Sequence, residues 1–224
     1  RGRAPMGERM EGRHVVLTGA NSGIGLAAAI DLASAGASLT LIVRDEAKAA
    51  HTAETIKEAT GRTDIRFEFA DLSLLKDTDT LIDRLLAKGE AIDVLINNAG
   101  ALFNEHTMTS EGLEKSYALL LLSPWRLSER LLPLLQNHDA TARIINVVSG
   151  GMSAERLNLK RLNMTSDGYR GARAYAQCKR ALSIMTEIWA ERWREHNIVV
   201  NAMHPGWSDT PGVQKSLPLF RRLT

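Results

Sequence analysis

Tyr175 and Lys179, four apart in Tyr175-Ala176-Gln177-Cys178-Lys179, are the residues of this 224-residue chain best suited to moving a proton. Positions i and i+4 share one face of a helix. A phenol titrates near 10 in water, and an adjacent ammonium favours its phenolate. The pair can therefore donate and accept a proton near neutral pH. Ser149 offers a second hydroxyl that could hold a carbonyl oxygen. Taken alone, Tyr-x-x-x-Lys is common on helix surfaces, so the surroundings must decide its use. No group of His, Cys, Asp or Glu has metal-ligand spacing, and no metal is expected.

Three more clusters carry candidate chemistry. The first is Gly19-Ala20-Asn21-Ser22-Gly23-Ile24-Gly25, between a strand and a helix. Glycines there permit a tight turn and close approach of backbone to a pyrophosphate, whose charge is met by helix N-terminal amides. The spacing is G-x-x-x-G-x-G rather than the usual dinucleotide G-x-G-x-x-G. The second is Arg44, just past the second strand. A guanidinium there can fork onto a 2′-phosphate, which favours NADP(H). Asp45 keeps NAD(H) open, and Arg44 could instead be a solvated loop residue. The third is Asn97-Asn98-Ala99-Gly100 after the fourth strand, either a surface for a nucleotide or an ordinary turn.

These clusters must be positioned by the elements around them. Short apolar runs read as strands at 14–18, 38–43, 65–70, 92–96, 143–148 and 197–203. Helical patterns alternate with them at 25–35, 46–60, 73–87, about 110–136 and about 173–195. Six β/α repeats of roughly 30 residues predict an α/β fold, a doubly wound (Rossmann) parallel sheet of six or seven strands with helices on both faces. Such sheets bind ligands beyond the carboxyl ends of the strands. The chain then divides into a flexible tail over 1–13 and one domain over 14–224. That domain carries an insertion at about 150–170 and a substrate loop from about 204.

Composition narrows the class. Apolar residues make up 44%, and 28 basic against 26 acidic residues leave a net charge of +2. That balance gives no electrostatic case for nucleic acid. The single cysteine, Cys178, excludes a disulfide framework and points to a reducing, cytoplasmic setting. The first fourteen residues are polar, so no signal peptide is expected in them. The most apolar window, Leu119 to Leu122, is cut short by Ser123 and Pro124, so no membrane span is expected.

With the four clusters in this order, the chain resembles the short-chain dehydrogenase/reductase family from about His14 to Val213. "VVSGGM" and "MHPGWSDTPGV" look like its branch called family member 12, and more loosely like retinol-dehydrogenase-type members. Ser149 and Tyr175 are 26 positions apart, more than is common in the family, hence the insertion. The resemblance implies a carbonyl–alcohol oxidoreductase acting on a small molecule. Tyr175 would be its general acid or base, Lys179 would lower the Tyr175 pKa and hold the nicotinamide ribose, and Ser149 would polarise the substrate oxygen. Asp71 and Leu72 would meet the adenine, and Asn98 the adenosine ribose. Pro205, Gly206 and Thr210 would lie along the nicotinamide. It also implies a homodimer or homotetramer through the two long helices.

One position departs from the family. Along Gly112-Leu113-Glu114-Lys115-Ser116-Tyr117-Ala118-Leu119-Leu120, Leu120 falls where members keep an asparagine whose main-chain carbonyl holds a water linked to the active-site lysine. Pro124 cannot donate to the carbonyl four residues back, so the backbone could still serve. The departure also motivates a second reading, an NADP(H)-binding sensor or scaffold with little catalysis.

Overall fold

The structure, a computed structural model, describes residues 10–136 and 140–206. Six parallel strands lie in the order β3-β2-β1-β4-β5-β6. They are β1 (His14–Thr18), β2 (Ser38–Val43), β3 (Arg66–Phe69), β4 (Val94–Asn97), β5 (Ala142–Val147) and β6 (Ile198–Met203). Strand order reverses beside β1, whose neighbours are β2 and β4. The crevice of a doubly wound sheet opens at that place. The near-continuous aliphatic runs of β1 and β2 reflect burial on both faces.

Two apolar clusters cover the two faces. One is built on Val15, Leu17, Leu39 and Leu41 under α1 (Gly23–Ser34) and α2 (Glu46–Thr60). The other joins Ile144, Leu81, Leu120, Leu182 and Trp189 under α3 (Leu75–Lys88) and the later helices. Helix ends follow simple chemistry. Asp45 caps α2 through Ala47 N and Lys48 N, and Gly61 and Gly89 close α2 and α3 at φ 75° and 65°. Met10 N donates to Ala35 O and Arg13 pairs with Asp93, so residues 10–13 lie against the sheet.

The single helix expected over 110–136 is not formed. Lys115–Tyr117 (α4) leads into a π-helical turn over Ala118–Leu122. Then come α5 (Ser123–Arg130) and a short α6 (Leu132–Leu135). The Ser123 N–H reaches back five residues to Ala118 O. Pro124 has no N–H, so it serves neither Leu120 at α spacing nor Leu119 at π spacing. Proline thus sets the place where the helix changes register. The last helix, α7 (Gly171–Arg192), carries Tyr175 and Lys179. Trp189 and Trp193, which end its core face, stack at 5.5 Å and are buried. They therefore pack the core rather than a subunit interface.

Candidate functional site

The turn after β1 is held by side chains from β4. Thr18 Oγ1 accepts from Asn98 N and Ala99 N at 2.9 Å each. Asn98 Nδ2 donates to Thr18 O and Gly19 O. The Asn98 amide group thus ties the two strand ends together. Gly19 has φ 68°, and a Cβ there would stand 2.7 Å from Ala99 Cα. A Cβ on Gly25 would collide with Gly19 O and meet Asn98 Nδ2 at 2.5 Å. Ser22 precedes α1, makes no side-chain cap, and is followed by no acid in the first turn. The opening amides of α1, at Gly23, Ile24 and Gly25, therefore meet no side-chain cap from Ser22 and no carboxylate of the first turn. This cradle fits the pyrophosphate of a dinucleotide.

Around its rim, Arg44 is exposed. Asp45 spends its carboxylate on the α2 amides, at 2.9 and 3.2 Å. Asp71 Oδ1 accepts from Ser73 N and Ser73 Oγ, which fixes the turn after β3, and Leu72 beside it is buried. Pro205 and Gly206 follow β6; Thr210 lies outside the described residues.

Lys179 Nζ donates to Val147 O at 2.6 Å and lies 5.9 Å from the Tyr175 ring centroid. The side chain is buried, and that burial lowers its pKa to about 8. Burial also pushes the Tyr175 phenol above its ordinary value, against a smaller downward pull from a hydrogen bond with Ser149. Lowering of that phenol by Lys179, as the resemblance implied, is therefore not what this structure shows. One N–H of the ammonium goes to the Val147 carbonyl, and burial outweighs what lowers the phenol. Ser149 Oγ accepts from Gly151 N at 3.3 Å as it opens a short 3₁₀ turn. Next to it, Gly150 N donates to His204 Nδ1 at 3.1 Å. Ser149, Tyr175 and Lys179 thus meet at the ends of β4 and β5. Gly100 joins them: a Cβ on it would lie 3.1 Å from Leu120 and 3.7 Å from Lys179 Nζ.

The insertion is pinned to the same region. Gln177, buried between the two candidate catalytic residues, donates to Arg156 O at 2.7 Å and accepts from Asn158 N at 2.8 Å. The Tyr169 hydroxyl has Phe103 O and Glu114 Oε1 within reach of its one proton, at 3.1 and 3.0 Å, and burial raises the phenol to about 12. Cys178 is wholly buried, and its thiol is pushed up by burial.

Sequence reasoning missed a second layer of polar residues. Asn97 and Asn146 stand opposite each other in register on β4 and β5. Asn97 Nδ2 donates to Asn146 Oδ1 at 2.8 Å and to Ser128 Oγ at 3.1 Å. Asn146 Nδ2 donates to Thr186 Oγ1 at 2.9 Å. All four are buried. A lone asparagine inside the aliphatic run Arg143-Ile144-Ile145-Asn146-Val147-Val148 was the available signal. Among the described residues there is no cluster that could hold a metal, and no helix is long and apolar enough to cross a membrane.

A family profile described as short chain dehydrogenase matches residues 13–218. Dehydrogenase/reductase SDR family member 12 of Bos taurus is 37% identical over 214 residues, covering 95% of this chain and 66% of its own. Retinol dehydrogenase 13 of Homo sapiens is 32% identical over 209 residues, covering 93% of this chain and 63% of its own. The solved Pseudomonas aeruginosa RhlG/NADP active-site complex is 28% identical with a TM-score of 0.74, covering 95% of this chain and 79% of that one. The chain spans a little under two thirds of the length of the curated relatives it matches.

Proposed function

Since the chain belongs to the short-chain dehydrogenase family, we propose that it is an NADP(H)-dependent oxidoreductase interconverting a carbonyl and an alcohol on a small, apolar substrate. The observation that carries this reading is the meeting of Ser149, Tyr175 and Lys179 beside the glycine cradle. When bound, the nicotinamide supplies or takes the hydride. In the reducing direction the Ser149 hydroxyl donates to the substrate oxygen and polarises the carbonyl. Tyr175 gives its proton to that oxygen as the negative charge develops. Lys179, charged below about pH 8, offsets the charge left on the phenol oxygen. Oxidation reverses these transfers, with Tyr175 as base. Rates of reduction therefore decline above about pH 8, as Lys179 loses its proton.

NADP(H) is favoured over NAD(H) because Asp45 is occupied in capping while Arg44 is exposed at the end of β2. The NADP in the RhlG complex supports the same preference. We expect Leu102, Phe103 and Met152 to line the cleft, which would suit an apolar substrate. We place the protein in the cytoplasm, as one catalytic domain from residue 14 onward. We also expect a homodimer or homotetramer that buries the exposed Trp125, Ile184 and Ile188.

The test is NADPH oxidation across aldehydes, ketones and quinones. Tyr175→Phe is expected to lose roughly 10²- to 10⁴-fold in turnover while still binding NADPH. Full turnover in that variant would remove Tyr175 from its role. Tight NADPH binding with no turnover on any of these carbonyls would favour the sensor reading instead.

A further inference from the structure

Ser149 stands between the end of β5 and the 3₁₀ turn over Gly150–Ala154. A seryl hydroxyl swings about one side-chain bond, so its aim is set by the backbone that carries it. That backbone is held from β6 on both sides of Ser149. Before it, Val148 N donates to Met203 O at 2.9 Å, in line with the parallel ladder. After it, Gly150 N donates to His204 Nδ1 at 3.1 Å. In a continued parallel ladder the Gly150 amide would go to the main chain two residues past Met203. β6 has ended by then, and the chain turns away through Pro205 and Gly206, the latter at φ 78°. The His204 side chain takes the place of that main-chain acceptor.

The imidazole also lies against the turn. The three heavy atoms nearest to a Cβ built on Gly150 all belong to the His204 ring, with Nε2 at 2.9 Å, Cε1 at 3.3 Å and Cδ2 at 3.5 Å. Gly150 does not have a positive φ, so the ring rather than the backbone is what asks for glycine there. An Nδ1 that accepts an N–H keeps its lone pair, which places the proton of the neutral imidazole on Nε2. Ser149 Oγ itself accepts from Gly151 N and is hydrogen-bonded to Tyr175. Both amides that follow Ser149 are thus engaged, one by its own hydroxyl and one by His204.

We propose that His204 is a positioning residue for Ser149: by accepting from Gly150 N it fixes the turn that aims the Ser149 hydroxyl at the substrate oxygen. His204 acts through the turn and moves no proton itself. The role rests on the oxidoreductase reading, in which Ser149 polarises the carbonyl.

Kinetics of NADPH-dependent carbonyl reduction test it with variants that keep or remove the acceptor. Asparagine carries Oδ1 at the same remove from Cβ as the histidine Nδ1, whereas leucine carries a methyl there. In His204→Leu, kcat is expected to fall roughly 5- to 10-fold, the worth of one neutral hydrogen bond, with the KM for NADPH unchanged. His204→Asn restores the rate. Placed on Ser149→Ala, His204→Leu costs nothing further, because the hydroxyl it positions is gone. Equal losses in the leucine and asparagine variants, or a full further loss on top of Ser149→Ala, overturn the proposal. Should His204→Leu fail to fold, Gly150→Ala carries the test, since its methyl displaces the ring. It lowers kcat in the wild type and costs nothing more in His204→Asn, which lacks Nε2 and Cε1; wild-type kcat in Gly150→Ala overturns the role. A wild type that reduces no carbonyl overturns the oxidoreductase reading and this role with it, whereas an active wild type matched by His204→Leu overturns the positioning role alone.

Discussion

The glycine turn after β1 and the π turn after α4 both leave main-chain groups outside regular pairing, with opposite sign. The first presents N–H groups at the start of α1, where Ser22 adds no cap. The second leaves a carbonyl near Leu119 or Leu120 without an N–H from Pro124. One suits an anion and the other a cation or a water. They also differ in how tightly they are specified. The glycine turn excludes side chains by contact, whereas the π turn is lined with leucines and depends on one proline.

Substitutions can break that contrast. The largest effect is expected from Gly25→Ala, whose methyl would overlap the Gly19 carbonyl and crowd Asn98. It should cost several kcal/mol in stability or abolish NADPH binding, on the order of 100-fold or more. Wild-type melting temperature and affinity together would show that the turn is looser than described.

Next in size is the buried ammonium. Lys179 titrates near 8 when folded and near 10.5 when unfolded. Between those values the unfolded chain holds more protons, so stability rises with pH across that window. The full penalty applies below about pH 8 and amounts to roughly 3 kcal/mol. Comparing denaturation of wild type and Lys179→Met from pH 7 to 10.5 isolates the slope. Parallel curves would mean that Lys179 is not desolvated.

A smaller effect is expected at the cradle rim. Arg44→Ser should cut the preference for NADPH over NADH by about 10- to 100-fold, the worth of one charge-assisted contact. An unchanged ratio would place Arg44 in solvent. The smallest belongs to the π turn. Pro124→Ala restores an N–H to the ladder and should alter stability by no more than about 1 kcal/mol. Hydrogen exchange at residue 124 would show protection if the turn relaxes toward α spacing, and rapid exchange if it does not.

The contrast also explains what could be read from sequence. Gly19, Gly23 and Gly25 announce themselves because only glycine tolerates such crowding, and Tyr175 and Lys179 because helix spacing is simple. Strands β1 and β2 match their expected limits, since apolar runs buried on both faces are unambiguous. The π turn was hidden because Leu119 to Leu122 satisfies any helical register equally well. The Asn97 network escaped because its parts lie far apart along the chain and meet only when β4 and β5 align. The resemblance extends to the family, and the fold and relatives bear it out.

The strand order has a consequence in time. β1 is made first, yet its partner on one side, β4, is not complete until Asn97 has been synthesised. Until then the chain's central strand carries a bare hydrogen-bonding edge of buried aliphatic residues, a site for pairing with other chains. Closing contacts so distant in sequence is slow. Asn98, which ties β4 to Thr18 and Gly19, would then mark the moment when that exposure ends. Nascent chains halted before Asn97 should aggregate more readily than chains halted after Gly100.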